Sequence, residues 1–546
     1  MKSDRKLQVY LFVLVSFGLL LSLCYMQVPG VYFLSDDYKF LHIMQTQGLG
    51  AFLHNFHDSF FIPLAHLYGA LLWYVFGFNI LGYNMLGLVL HLTNSFLVFL
   101  LIKRILSIFK AYSFADVLFL AYFTALLFLI SPYQTEAVNW FSSRSYLLAL
   151  FFLLLFALHY TRFVFDGRNN FLIYSLLFYF LALLSKEIAW VVPVIVFVTE
   201  MFFLKSPWKQ RIRVLGLFGL LSLFYGLLRY IVLGNIIGGY GAGLHLGFSL
   251  IDWWHTFIAY SAKFFMMYRY LPEFMKEMIS LVTSGYILSA GFLLLSLLLL
   301  WVRFRKKNMQ FKILLYATLL FLITLLPVIN LETTFLGNLQ SDRYGYMVSI
   351  PAGFIIVFLV HSFFPKKISV GIMVLLSLLF AILVFQTNKY WVKAGYIAEV
   401  ITQGVIANSD RDTILFLNLP DNFHGVYVLR VGFEQSIHLH APDLVNKKYL
   451  FVSIQNNLND KLIREIDTSG NWLHIIAQDS ESHFMGFNPN LESQTGGSVS
   501  LIDFDREGFR LQILPEGRML RLLYYDRGSV KVLPYGGAKV KPTPPA

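Results

Sequence analysis

The sequence predicts a polytopic α-helical membrane protein that carries a mostly β soluble domain at its C-terminal end. Three observations predict it. Of 546 residues, 57% are hydrophobic and 14% are charged, where an ordinary soluble domain carries about 25% charged residues. From residue 7 to residue 385 one apolar run follows another, many near the roughly 20 residues that a bilayer-spanning helix needs. Beyond Lys389 the pattern changes to short apolar-alternating segments parted by Asn, Asp, Gly and Pro, the signature of strands and turns.

The first run, 7–29, follows Lys2, Arg5 and Lys6 and has no small-residue cleavage site behind it, so it reads as an uncleaved first helix starting in the cytoplasm. Further spans are expected near 81–102, 114–130, 145–164, 171–185, 188–204, 214–233, 280–301, 311–329, 344–361 and 368–386, about eleven in all. Two stretches rich in aromatic residues, 64–78 and 252–271, fit helices lying in the interface better than spans. An odd count places the C-terminal domain outside. Every basic cluster ("KR" at 103–104, "KSPWKQRIR" at 205–213, "RFRKK" at 303–307, "PKK" at 365–367) then faces the cytoplasm. The formal net charge of +12 is therefore the positive-inside bias of a membrane protein, and no nucleic-acid partner is expected. Cys24 is the only cysteine, which excludes an intramolecular disulfide.

The chain thus reads as a transmembrane domain over 1–389, an extracytoplasmic mostly β domain over 390–534 and a flexible tail over 535–546. Strands are expected in "TILFLNLP", "GVYVLRVGF", "KYLFVSI", "WLHIIAQ", "SVSLIDF" and "GFRLQILP". "NLPDNFHGVY" (418–427) reads as a loop whose aromatic, Asp and His groups suit stacking on a sugar.

This topology gathers a short set of ionisable residues on the outer face. "FLSDDYKFL" puts Asp36 and Asp37 just past the first helix, with His54, His57 and Asp58 further along the same loop. "SPYQTEAVNWFSSRS" adds Glu136 and Arg144, "SKE" adds Lys186 and Glu187, and "LETTFLGNLQSDRYGY" adds Glu332, Asp342 and Arg343. Ionisable groups at the membrane edge are costly and commonly functional. Taken singly, each has a structural explanation: an interfacial anchor for Arg144 or Arg343, an ion pair with Glu187 or Glu136 for Lys186. Together they match one chemistry. A sugar on a polyprenyl phosphate presents its anomeric carbon at the membrane surface, a carboxylate takes the proton of the attacking hydroxyl, and cations stabilise the departing phosphate.

The motifs that carry these residues resemble the GT-C superfamily of polytopic glycosyltransferases, in particular the protein O-mannosyltransferases, the membrane half of the TMTC type and their bacterial relatives. "SDDYKFL" is similar to the Asp-containing first-loop motif. "FIPLAHLYGALLWYVFGFNILGYNMLGLVLHLTNSFLVFLL" is similar to an R-P-L, G-x-N, N-x-x-x-H segment, with Ile62 and Gly87 as departures and His91 retained. "SPYQTEAVNWFSSRS" resembles H-P-x-x-T-E-A-V-x-W-x-x-x-R with Ser131 in place of His, and "DRYGYMVSIPAGF" resembles an E-R-Y-x-Y segment with Asp342 in place of Glu. The matches run in order over residues 1–390.

The resemblance implies a GT-C fold and a hexosyl, mannosyltransferase-like transferase acting from a polyprenyl-phosphate sugar onto a glycan, lipid or protein acceptor. Asp36 or Asp37 would be the catalytic base, the first of the pair being the one often read so in related loops. Arg144, Lys186 and Arg343 would contact the donor phosphate, with Glu136, Glu187, His91 and Tyr344 supporting the site or the acceptor. No cofactor is expected; a divalent metal at the acidic pair stays open, since "HNFHD" lacks a strong metal spacing. Two rival readings share the polar outer face: a transporter or flippase of lipid-linked saccharides, and an oligosaccharide polymerase or ligase. The short ectodomain without repeats and without an ER-retention signal points to a bacterial cytoplasmic membrane.

Overall fold

The computed structural model describes residues 2–53, 60–109, 112–203, 207–236, 250–284, 308–329, 339–457, 461–469, 471–514 and 520–533. Helices run in the order α1 Lys2–Cys24, α2 Asp36–Thr46, α3 Pro63–Phe76, α4 Ile80–Phe109, α5 Phe114–Leu129, α6 Thr135–Asn139, α7 Ser145–Asp166, α8 Asn170–Ser185, α9 Val192–Phe203, α10 Trp208–Leu233, α11 Leu250–Met266, α12 Glu273–Ser284, α13 Asn308–Leu325, α14 Ser349–Phe363 and α15 Lys366–Ala407. Among the described residues six helices are long and apolar enough to cross a membrane. A seventh span is formed if α5 and the segment Pro132–Asn139, bent 52° from it, count as one. α3, α8 and α14 are shorter apolar helices. The chain is a multi-pass membrane protein. Most of the span expected at 280–301 lies outside the described residues.

The chain divides into two compact units: Met1–Met26, Leu49–Gly77 and Gly82–Thr387 form the first, and Gln27–Gly48, Phe78–Leu81 and Asn388–Ala546 the second. In the first unit the helices are closed by local signals. Ser113 caps α5 by accepting from the Asp116 amide at 3.2 Å, and α7 ends on Gly167 at φ 68°, a left-handed stop that lets α8 turn back against it. His91 pins this core. Nε2 lies 3.0 Å from the Leu129 carbonyl, which only accepts, so Nε2 donates and Nδ1 accepts from the Tyr346 hydroxyl at 2.8 Å.

The second unit holds two sheets. β1 Thr413–Phe423, β2 Val426–Tyr427, β3 Lys448–Asn457, β6 Phe484–Phe487, β9 Arg521–Asp526 and β10 Ser529–Val532 make one, ordered β10-β9-β1-β3-β6 with β2 paired onto β1. β4 Ile463–Ser469, β5 Trp472–Ala477, β7 Val499–Phe504 and β8 Gly508–Ile513 make the other, ordered β4-β5-β8-β7 and antiparallel throughout. β9, β1 and β3 are mutually parallel, and β1 reaches β3 through α16 Phe433–His440, a β-α-β crossover. Two expectations from the sequence fail in this region. Residues 418–427 are not a loop: every residue from Ile414 to Phe423 is buried, because a strand flanked by parallel neighbours faces core on both sides and its Asn and Asp side chains pair inward. Of "GVYVLRVGF", only Val426–Tyr427 is strand; Gly432 at φ 85° breaks the extended run and opens α16. The expected tail, 535–546, lies outside the described residues.

Candidate active site

The acidic pair opens α2, where carboxylates in the first turn are favoured by the helix dipole. The two residues are not equivalent. Asp37 is 2% exposed, and its Oδ2 accepts from the Leu34 amide at 3.1 Å while its own amide donates to Leu34 O at 2.9 Å. Asp36 is half-buried. The residue before them, Ser35, sits at φ 45°, a strained position for a side-chain-bearing residue. It is held there by the second unit's own chain: the Ser35 amide donates to Val428 O at 2.8 Å, and Ser35 Oγ accepts from the Val431 amide at 3.2 Å. Gly432 presses so close that a Cβ would lie 2.6 Å from Ser35 O.

Between these contacts stands Arg430. Its Nε and Nη2 donate to the two oxygens of the fully buried Asp421 at 2.5 and 3.1 Å, and its guanidinium lies 4.7 Å from the Tyr427 ring centre. Burial works to lower the Arg430 pKa, but Asp421 and, further down the order of causes, Asp36 outweigh it and raise it. Arg430 is a fixed positive charge that the Asp36 carboxylate feels.

In the first unit the structure brings Lys186, Glu187, Glu136, Arg343 and Tyr344 into one patch. Arg343 pairs with Glu136, whose second oxygen accepts from the Arg343 amide at 2.7 Å. The guanidinium also donates to Tyr344 Oη at 3.1 Å and lies 4.7 Å from that ring and 5.1 Å from Trp140. Tyr344 packs on Tyr146 at 6.0 Å, and Tyr146 in turn lies 5.3 Å from the Lys186 ammonium. Lys186 sits 4.2 Å from the Phe60 ring and 3.4 Å from Glu187, which also accepts from Arg229 at 2.6 Å. Cations on ring faces near a membrane gain from the ring quadrupole when water is scarce.

Arg144 and His91 are placed otherwise. Arg144 is 1% exposed and spends Nη1 on Tyr83 O at 2.6 Å and Nη2 on Asn84 Oδ1 at 2.7 Å, fastening the chain to α4. A Cβ at Gly87 would stand 2.7 Å from its Nε, which explains why α4 carries glycine there. His91, fully buried, is the core fastening described above. His54, His57, Asp58 and Glu332 lie outside the described residues. Among the described residues no three His, Cys, Asp or Glu side chains gather as metal ligands.

The cations that pair with Asp342 and Glu187 are not singled out by the sequence. Asp342 is fully buried between Lys263 Nζ at 2.5 Å and Arg269, which donates Nη1 and Nη2 at 2.8 and 2.6 Å. Both cations lie on the aromatic stretch read only as interfacial. Arg229 was overlooked although a lone arginine inside the apolar run "GLLRYIV" is itself a signal of a polar partner. An apolar groove of about 640 Å³ lies along Trp190, Gly219, Leu223, Leu227 and Tyr230, on the segments that bear Glu187 and Arg229.

No protein-family model matches the sequence, and no curated protein matches it. The similar solved structures include two of one protein. ArnT from Cupriavidus metallidurans bound to undecaprenyl phosphate has a TM-score of 0.43 and 9% identity, covering 91% of this chain and 97% of that one. The same protein in the apo state has a TM-score of 0.43 and 10% identity, covering 92% and 97%. Neither likeness assigns a role to any residue of this chain.

Proposed function

We propose that the chain is a membrane glycosyltransferase that moves a sugar, of the hexosyl class, from a polyprenyl-phosphate donor to an acceptor hydroxyl on the extracytoplasmic face of a bacterial cytoplasmic membrane. The observation that carries it is the division of labour in the acidic pair. Asp37 is buried and commits an oxygen to the Leu34 amide, whereas Asp36 is only half-buried and has a fixed cation, Arg430, in its field. Asp36 is then the general base: it takes the proton of the acceptor hydroxyl as that oxygen bonds to the anomeric carbon and the carbon–phosphate oxygen bond breaks. The departing lipid phosphate collects negative charge, and Lys186 and Arg343, whose side chains are 7% and 16% exposed, are the cations that answer it. Arg144, committed to Tyr83 and Asn84, positions the helices around them. The apolar groove beside Glu187 and Arg229 suits an isoprenoid chain.

The test is turnover by the purified protein in lipid, with radiolabelled mannosyl, glucosyl and N-acetylglucosaminyl polyprenyl phosphates and a cell-envelope extract as acceptor. Sugar transfer that disappears in Asp36→Asn while the protein stays folded is the expected result. Absence of turnover of every donor, with lipid-linked sugar moving between leaflets instead, would replace the transferase with a transporter.

A further inference from the structure

The second unit contains a cavity of about 420 Å³, inside the range of about 300–1,000 Å³ common for small-molecule sites. Unlike the apolar groove of the first unit, it mixes rings, amides and charges. Arg430 and Phe433 form one wall, Gln435 continues it along the start of α16, and Lys448, Phe451 and Asn488 close the other side from β3 and the segment after β6. Its polar groups are oriented before any ligand arrives. Asn488 Nδ2 donates to Phe451 O at 3.2 Å and to Gln494 Oε1 at 2.8 Å, which fixes the direction of the Gln494 amide at the cavity edge. Arg430 is locked in a fork on Asp421.

This donor and acceptor set has a recognisable complement. A pyranose offers hydroxyls that both donate and accept around its rim, and C–H groups across its face. Side-chain amides supply donors and acceptors in fixed planes, and the half-buried Phe451 supplies apolar surface for the ring face. The charges nearly cancel. Arg430 is matched by Asp421, and Glu434 stands on the same lining as Lys448, so the cavity favours a neutral ligand over a phosphate or an acidic sugar.

Its placement gives the ligand a task. The segment 430–433 that walls the cavity is the same one that holds the acidic loop: the Val431 amide donates to Ser35 Oγ, Gly432 packs on Ser35 O, and Arg430 lies in the field of Asp36. We propose that the cavity is an acceptor subsite that binds a neutral saccharide and thereby registers the acceptor against Asp36. It rests on reading the chain as a glycosyltransferase. Neither the acidic pair nor the outer cations of the first unit belong to it, so it is a binding site in its own right.

The subsite is tested without donor. Full-length protein in lipid nanodiscs is applied to arrayed neutral mono- to tetrasaccharides of glucose, galactose, mannose and N-acetylglucosamine. Wild type is expected to capture a defined subset. Gln435→Ala with Lys448→Ala should weaken that capture about tenfold or more, the loss of two hydrogen-bonding groups. Both positions are on the surface side of the fold, and Gln494→Ala gives an independent exposed probe. Wild type capturing no saccharide, or capture that survives the double substitution and Gln494→Ala together, overturns the subsite. Saccharide capture without turnover of any polyprenyl-phosphate sugar would leave the subsite standing and remove the transferase. Turnover with an acceptor KM unaltered by the double substitution would do the reverse.

Discussion

Asp36 and Asp37 stand next to each other in the chain in different surroundings, the first half-buried and the second buried, and the division of roles proposed for them can be measured. Asp36→Asn should abolish sugar transfer with little change in melting temperature. Asp37→Asn should lower stability by about 1–2 kcal/mol, the order of a weakened hydrogen bond to a charged group, with activity falling in step with the folded fraction. Thermal unfolding and transfer assays on the two variants side by side give the answer; equal loss of activity at equal stability would refute the split. Gly87 offers a second case. Because a Cβ there would meet the Arg144 guanidinium at 2.7 Å, Gly87→Ala should destabilise by about 1–3 kcal/mol through overpacking, whereas the solvent-side Gly50→Ala, with open space around its Cβ position, should not. His42 gives a pH dependence. Burial first and His438, ring centres 6.0 Å apart, second lower its pKa below the ordinary 6.5. The unfolded chain therefore binds that proton more readily than the folded one. The stability it contributes is whole above pH 6.5 and is lost as pH falls. Urea unfolding between pH 7.5 and 5 should show a shallower decline in His42→Gln than in wild type.

Whole segments show where the sequence was legible and where it was not. The apolar runs announced α1, α4, α5, α7, α8, α10, α13, α14 and α15, since desolvating a backbone in lipid leaves the helix as the only local solution. β1 was legible as an apolar run, but Asn418, Asp421 and Asn422 at its end mimic turn composition. Asn418 binds Gln455 and Tyr525 from other strands and Asp421 binds Arg430 from the crossover, whereas Asn422 makes local bonds, to Asp421 and from the Gly425 amide. α16 is not announced by the sequence; only its first residue, Phe433, falls in an expected strand. Its helical spacing, with Phe433, Ser436 and Ile437 buried on one side, was hidden behind a β-rich lead-in. The acidic pair and the Glu136, Lys186 and Arg343 positions stand out in motifs; Lys263, Arg269 and Arg229 do not, because each pairs with a carboxylate distant in sequence, and Arg430 pairs with Asp421 in a stretch that reads as a loop. The crossover carries its own prediction. Gly432→Ala places a Cβ against Ser35 O at a backbone angle of φ 85°, so it should depress transfer strongly and increase proteolysis of the 27–48 loop. Unchanged transfer and digestion would show that the contact is idle.

The protein as a whole concentrates its electrostatic risk in a few enclosed pairs. Asp342 bridges Lys263 and Arg269, and removing one partner of a buried pair typically costs about 3–5 kcal/mol. Asp342→Asn should lower thermal stability by that order, and Asp342→Glu should recover part of it; a variant as stable as wild type would mean that water reaches the pair. The clamp on Ser35 has another consequence, one of timing. Its two anchors lie 396 residues apart, Ser35 and Val431. At about 5–20 residues per second, the ribosome delivers the second anchor tens of seconds after the first loop has been made. Until then the strained serine has nothing to hold it, and Asp36 beside it has no fixed position. On the reading proposed above, a nascent chain already threaded into the membrane would be silent until Val431 has been made and docked on Ser35.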